Sequence, residues 1–158
     1  MITRATHSRK RLLSALAALV LLFAAAPSAL AGNQLAGRWT LRITIPETPD
    51  STTTRTFTVT LDVAPRGESL HGRANLTDEA GRTVGAAWRQ VGKNVSIAYE
   101  LPCPGDGPCA SLILQGRVKG GGVLMKKGSV IVMWDTVNSR NPALYDTSNG
   151  SFRGDRIE

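Results

Sequence analysis

Histidine and cysteine are almost absent from this chain of 158 residues, with two of each. Only His71 lies beyond the first 31 residues, so a Ser–His–Asp relay would have to run through it. No Gly-x-Ser-x-Gly turn presents a serine for such a relay. The scarce histidines and cysteines do not complete a zinc ligand set, and no phosphate loop or dinucleotide fingerprint is present. Among the carboxylates, Asp62 and Glu100 fall on the outward face of candidate strands, and Asp135 sits at a strand end. They read as solvated charges, and His71 reads as a surface histidine. With no catalytic constellation, the chain is expected not to be an enzyme and to need no metal or cofactor. Helical periodicity is missing too, and aromatic residues make up only 5% of the chain.

Long hydrophobic runs are also rare. The single extended one, Leu12 to Ala26, is interrupted only by Ser14. At 1.5 Å per residue it would span about 22 Å, short of the roughly 30 Å hydrocarbon core of a bilayer. It follows a basic start that includes Arg4, Arg9, Lys10 and Arg11, and it ends at Pro27 and the small-residue stretch Ala29-Leu30-Ala31. This is the layout of a cleavable secretion signal over residues 1–31. The mature chain, residues 32–158, is expected to be exported, periplasmic or extracellular, with no membrane insertion. Four of the 19 basic residues and none of the 12 acidic ones lie in the signal, so the net charge of +7 falls to +3 over 127 residues. The remaining arginines are spread along separate strands, and no nucleic-acid partner is expected. A chain of 127 residues suits one domain with a core of its own.

The two cysteines bracket a turn-rich stretch, Cys103-Pro104-Gly105-Asp106-Gly107-Pro108-Cys109. In an exported chain an even pair across a turn is expected to form a disulfide. A redox pair would need a thiolate-stabilising neighbour, and the spacing is not Cys-x-x-Cys.

The mature chain is dominated by period-two alternation. Trp39, Leu41, Ile43 and Ile45 share one face, with Arg38, Thr40, Arg42 and Thr44 on the other. The same pattern returns in Phe57–Val63, Leu70–Thr77, Thr83–Arg89, Asn94–Leu101 and Ser111–Val118. Gly67, Gly81 and Gly92 sit where tight hairpins need positive φ. After Gly120-Gly121-Gly122 the pattern predicts one long strand with a bulge near Lys126-Lys127-Gly128, with two shorter strands as the alternative. A loop is expected over 136–149 and a last strand over 150–158. The total is an all-β chain of eight amphipathic strands in meander order, with no helix to cover an open edge. Closing the sheet into an up-and-down antiparallel barrel removes both edges. A β-sandwich is the runner-up, and it would need longer crossing loops than most of those present.

Gly37-Arg38-Trp39 at the start of the first strand of such a meander resembles the lipocalin and avidin group, the calycins. The resemblance implies that Trp39 packs at the closed end of the barrel beneath a basic residue of the last strand. Arg156, which shares a face with Phe152, is the partner it implies. The Thr-Asp-Tyr motif of lipocalins and the biotin-holding set of avidins are absent. The resemblance therefore implies an architecture and no particular ligand.

The barrel interior is the expected functional region. Gly72, Ala74 and Ala86 are small inward residues beside Trp88, Tyr99, Leu112 and Leu114. They would leave room for a small apolar or amphipathic ligand walled by Trp88 and Tyr99. The alternative is that small and large residues alternate only to fit the taper. Loop 46–54 is a candidate lid for the open mouth. A different reading of the chain is a secreted protease inhibitor or interaction module, acting through its exterior or through an extended arm at 32–36.

Overall fold

The computed structural model describes residues 33–64, 70–103, 109–119, 121–135 and 146–157. Residues 1–32, 65–69, 104–108, 120, 136–145 and 158 lie outside them, and with them the expected signal and the turn expected at Pro65–Glu68. Alternation fixes the strands: one apolar residue in every two supplies a continuous inward row, and turn residues end each run. The strands are β1 Gly37–Pro46, β2 Thr54–Val63, β3 His71–Asp78, β4 Thr83–Val91, β5 Asn94–Glu100, β6 Cys109–Lys119, β7 Leu124–Asp135 and β8 Asp146–Arg156. Each pairs antiparallel with the next, and β8 returns to β1, so the sheet closes into an up-and-down barrel. Closure satisfies the edge hydrogen bonds that an open eight-strand meander would leave exposed.

Gly81 and Gly92 take positive φ (80° and 59°) in the tight β3–β4 and β4–β5 turns. At the first of these turns Asp78 also caps the loop. Its Oδ1 accepts from the backbone N–H of Ala80 (3.0 Å) and of Arg82 (2.8 Å).

The segment after Gly122 is one strand. Between Met125 and Gly128, β7 advances three residues while β8 advances two, so β7 carries one extra residue at Lys126-Lys127. This bulge keeps both Met125 and Val130 buried despite their odd spacing. The last strand starts at Asp146, inside the expected loop. Its first residues, Asp146-Thr147-Ser148-Asn149, carry no apolar alternation. Ser148 nevertheless takes an interior position, where it accepts a hydrogen bond from the Trp134 indole (2.8 Å).

The interior is filled along most of its length. Trp39, Leu41, Ile43 and Ile45 of β1 are fully buried, as are Leu61, Val63, Ile97, Leu112, Leu114, Val118, Met125, Val130 and Val132. The inward glycines are occupied rather than empty. A Cβ on Gly116 would lie 2.7 Å from the Phe152 ring, and one on Gly128 would collide with three atoms of the same ring. Phe152 is thus seated over two glycines, and small and large residues complement each other across β6, β7 and β8.

One end of the barrel is sealed. The Arg156 guanidinium lies 5.1 Å from the Trp39 ring centroid, in cation–π geometry. Arg156 Nη2 donates to the carbonyls of Gln34 (3.1 Å) and Ala36. Asn33–Ala36 is a turn bound into this end. Leu35 is fully buried, its N–H donates to the buried Gln90 (3.2 Å), and its carbonyl accepts from the Trp39 indole (2.8 Å). The described part of the expected arm is therefore part of the closed end.

Candidate functional site

At the opposite end the described ladders stop at different heights, because neighbouring strands differ in length. β2 pairs with β3 only from Val59 to Asp62, so Thr54 to Thr58 run past the end of β3 with a partner on the β1 side alone. β4 and β5 pair only from Ala86 and Tyr99 onward, leaving Thr83–Gly85 beyond that ladder. The Asp78-capped turn stops β3 short and opens the wall between β2 and the β3–β4 hairpin.

A cleft of about 340 Å³ occupies this gap. Its apolar lining comes from Phe57 and Val59 of β2, Leu76 of β3, Val84 of β4, Tyr99 of β5, and Leu101 and Pro102 just after β5. The volume falls at the lower end of the roughly 300–1,000 Å³ of small-molecule sites. The disulfide between Cys103 and Cys109 pins the chain directly after Pro102 to the start of β6, and so fixes one lip of the cleft. It also fits an oxidising compartment.

Two features of the cleft are polar. The first is the Tyr99 hydroxyl. Tyr99 is 5% exposed, and its oxygen is buried with no hydrogen-bond partner. A buried hydroxyl left unpaired costs about 1–3 kcal/mol. Burial pushes the phenol well above its usual range, against a smaller opposing pull from the Arg55 charge, so Tyr99 stays a neutral donor.

The second is the rim, which carries Arg55, Asp78, Glu79 and Arg82. Asp78 and Arg82 form an ion pair at 2.7 Å. The backbone N–H and guanidinium of Arg82 hold the Asp78 carboxyl below its ordinary range. Arg55 lies over the Phe57 ring, 5.7 Å from its centroid, and among the described residues it makes no ion pair.

Of the seven interior positions singled out from the sequence, Tyr99 alone lines this cleft. Gly72 and Trp88 occupy each other: a Cβ at Gly72 would sit 3.2 Å from the indole nitrogen, which donates to the Arg73 carbonyl (3.3 Å). The space that Gly72 offers is taken up by Trp88. Ala74 and Ala86 are buried as a cross-strand pair next to Tyr99, and Leu112 and Leu114 are fully buried. Loop residues 47–53 do not line the cleft.

Arg55, Phe57, Val84 and Leu101 were not singled out from the sequence. The signal that could have found them is the mismatch in run length between β2 and β3. Among the described residues, no group of three or more His, Cys, Asp or Glu could hold a metal, and no helix is long and apolar enough to cross a membrane. No family model, no curated protein and no solved structure matches this chain.

Proposed function

We propose that this chain is an exported, calycin-type β-barrel that holds one small amphipathic ligand in the cleft at its open end. The observation that carries the reading is the Tyr99 hydroxyl, buried without a partner beside the apolar residues of a cleft of about 340 Å³. A ligand that brings an acceptor to that hydroxyl relieves an unmet hydrogen bond, and its apolar part covers Phe57, Val84 and Leu101, which are only half-buried. The signal-like residues 1–31 and the Cys103–Cys109 disulfide support export. The inhibitor reading has less behind it, because Asn33–Ala36 is engaged at the closed end by Gln90, Trp39 and Arg156.

The test is a fluorescence titration with N-phenylnaphthylamine, a neutral apolar probe. The wild type should bind it saturably, one molecule per barrel. Val84→Trp, which places an indole in the cleft from a half-buried position, should abolish binding while the thermal melt stays cooperative. Absence of saturable binding to the wild type, or equal binding to a well-folded Val84→Trp variant, overturns the reading.

A further inference from the structure

The polar groups of the cleft select among amphipathic ligands. Tyr99 presents a hydroxyl that is a neutral donor and has no partner. Arg55, on the rim of the same cleft, is a cation without a carboxylate partner among the described residues. The other cation of the rim, Arg82, is committed to Asp78, which in turn is committed to the turn it caps. The Arg55 charge also acts on the Tyr99 hydroxyl, pulling against the effect of burial. A neutral donor and a cation that line the same cleft both ask for an acceptor, and a negative one satisfies both. An amine would meet a like charge at Arg55 and a hydrogen-bond donor at Tyr99.

We infer that the ligand is an amphipathic carboxylic acid, its acid group taken by the Arg55 guanidinium and the Tyr99 hydroxyl and its apolar part lying against Val59, Leu76 and Val84. This inference rests on the ligand-holding role of the cleft and adds the chemistry of the head group. The size is set by the volume: 340 Å³ holds about eleven groups of water size at roughly 30 Å³ each. That corresponds to a chain of about ten carbons with its head. The Arg55 side chain is exposed, so its part is a preference of modest size that salt weakens.

The experiment displaces bound N-phenylnaphthylamine from the full chain with decanoate, decan-1-ol and decylamine at neutral pH. Decanoate should bind about three- to tenfold more tightly than decan-1-ol, a difference within the range of one charge-assisted contact. Decylamine should be the weakest. Arg55→Gln should bring decanoate and decan-1-ol level, read as the ratio of their two affinities in that same variant. Tyr99→Phe should weaken decanoate several-fold while the melting temperature of the free protein stays the same or rises.

Raising salt from about 0.01 M to about 1 M shortens the screening length from roughly 30 Å to roughly 3 Å. It should shrink the preference in the wild type and leave Arg55→Gln unaffected. Equal affinity for decanoate and decan-1-ol in the wild type, or a preference that survives Arg55→Gln, overturns the inference and leaves the cleft a general apolar site. Failure of the neutral probe and all three amphiphiles to bind overturns the ligand-holding role as well.

Discussion

Adding one methyl group at each of four glycines should sort the barrel into filled and open regions. Gly85 faces outward on β4, and a Cβ there meets nothing within 4 Å. Gly72 would bring a Cβ to 3.2, 3.4 and 3.5 Å from the Trp88 indole, a tight but adjustable contact. Gly116 would place one at 2.7 Å from the tip of the Phe152 ring. Gly128 would drive one into three ring atoms, two of which also lie closest to Gly116. None of the four takes a positive φ, so packing alone separates them.

Alanine gains about 0.5–1 kcal/mol over glycine in a strand, and overpacking a filled core costs about 1–3 kcal/mol. Gly85→Ala should therefore stabilise by about 0.5 kcal/mol and Gly72→Ala should be near neutral. Gly116→Ala should lose about 1 kcal/mol and Gly128→Ala about 2 kcal/mol. At roughly 4 °C per kcal/mol for a domain of this size, Gly128→Ala should melt about 8 °C below the wild type by circular dichroism. Phe152→Leu in the Gly128→Ala background should show a coupling of about 1 kcal/mol or more, because removing the ring removes the clash. A Gly128→Ala variant as stable as Gly85→Ala, or additivity within about 0.5 kcal/mol for the pair, would refute the account of Phe152 as the filler of the interior.

Three further outcomes are expected. Removing the disulfide with Cys103→Ser and Cys109→Ser should cost about 2 kcal/mol, the chain-entropy value for a ring of this size. It should also weaken probe binding, since Leu101 and Pro102 lose their anchor; unchanged binding in the folded double variant would separate the disulfide from the cleft. Asp78 has a folded pKa below its unfolded value near 3.8, so the stability it contributes is present above that pH and is lost as pH falls through the folded value. The amide signals of Ala80 and Arg82 should therefore shift together below about pH 3.8 in an NMR titration, and Asp78→Asn should remove that step. Trp39→Ala should cost about 3–5 kcal/mol in chemical denaturation, as a fully buried indole with a hydrogen bond to Leu35 and a guanidinium above it.

The strands were legible because a barrel wall has one wet and one dry face, and alternation records that at every second residue. It worked for β1, β2 and β5, whose inward rows are continuous. It failed at the start of β8, where a polar residue, Ser148, occupies an inward position and finds a partner in Trp134. The interior was harder. Gly72 and Gly116 announce missing side chains but not what leans over them, and the Trp88 indole and the Phe152 ring come from other strands. The cleft depends on where ladders stop, which is a property of pairs of strands. Tyr99 was visible as an inward residue with a polar end, but Arg55 joined it only through the register of β2 against β3.

The sealed end has a consequence for the order of events in folding. Its parts come from the two extremes of the barrel's sequence: Gln34 and Leu35 at one extreme and Arg156, more than a hundred residues later, at the other. Every other neighbouring pair of strands is a short meander step, while the β1–β8 ladder closes a loop spanning nearly the whole domain. Such a contact bears the largest loop-closure entropy in the molecule, and hairpins can zip well before it forms. A chain whose last strand has not yet paired thus has most of its hairpins but neither the seam nor the Trp39–Arg156 lid. Closure waits for the last strand, and the barrel becomes a barrel in a single late step.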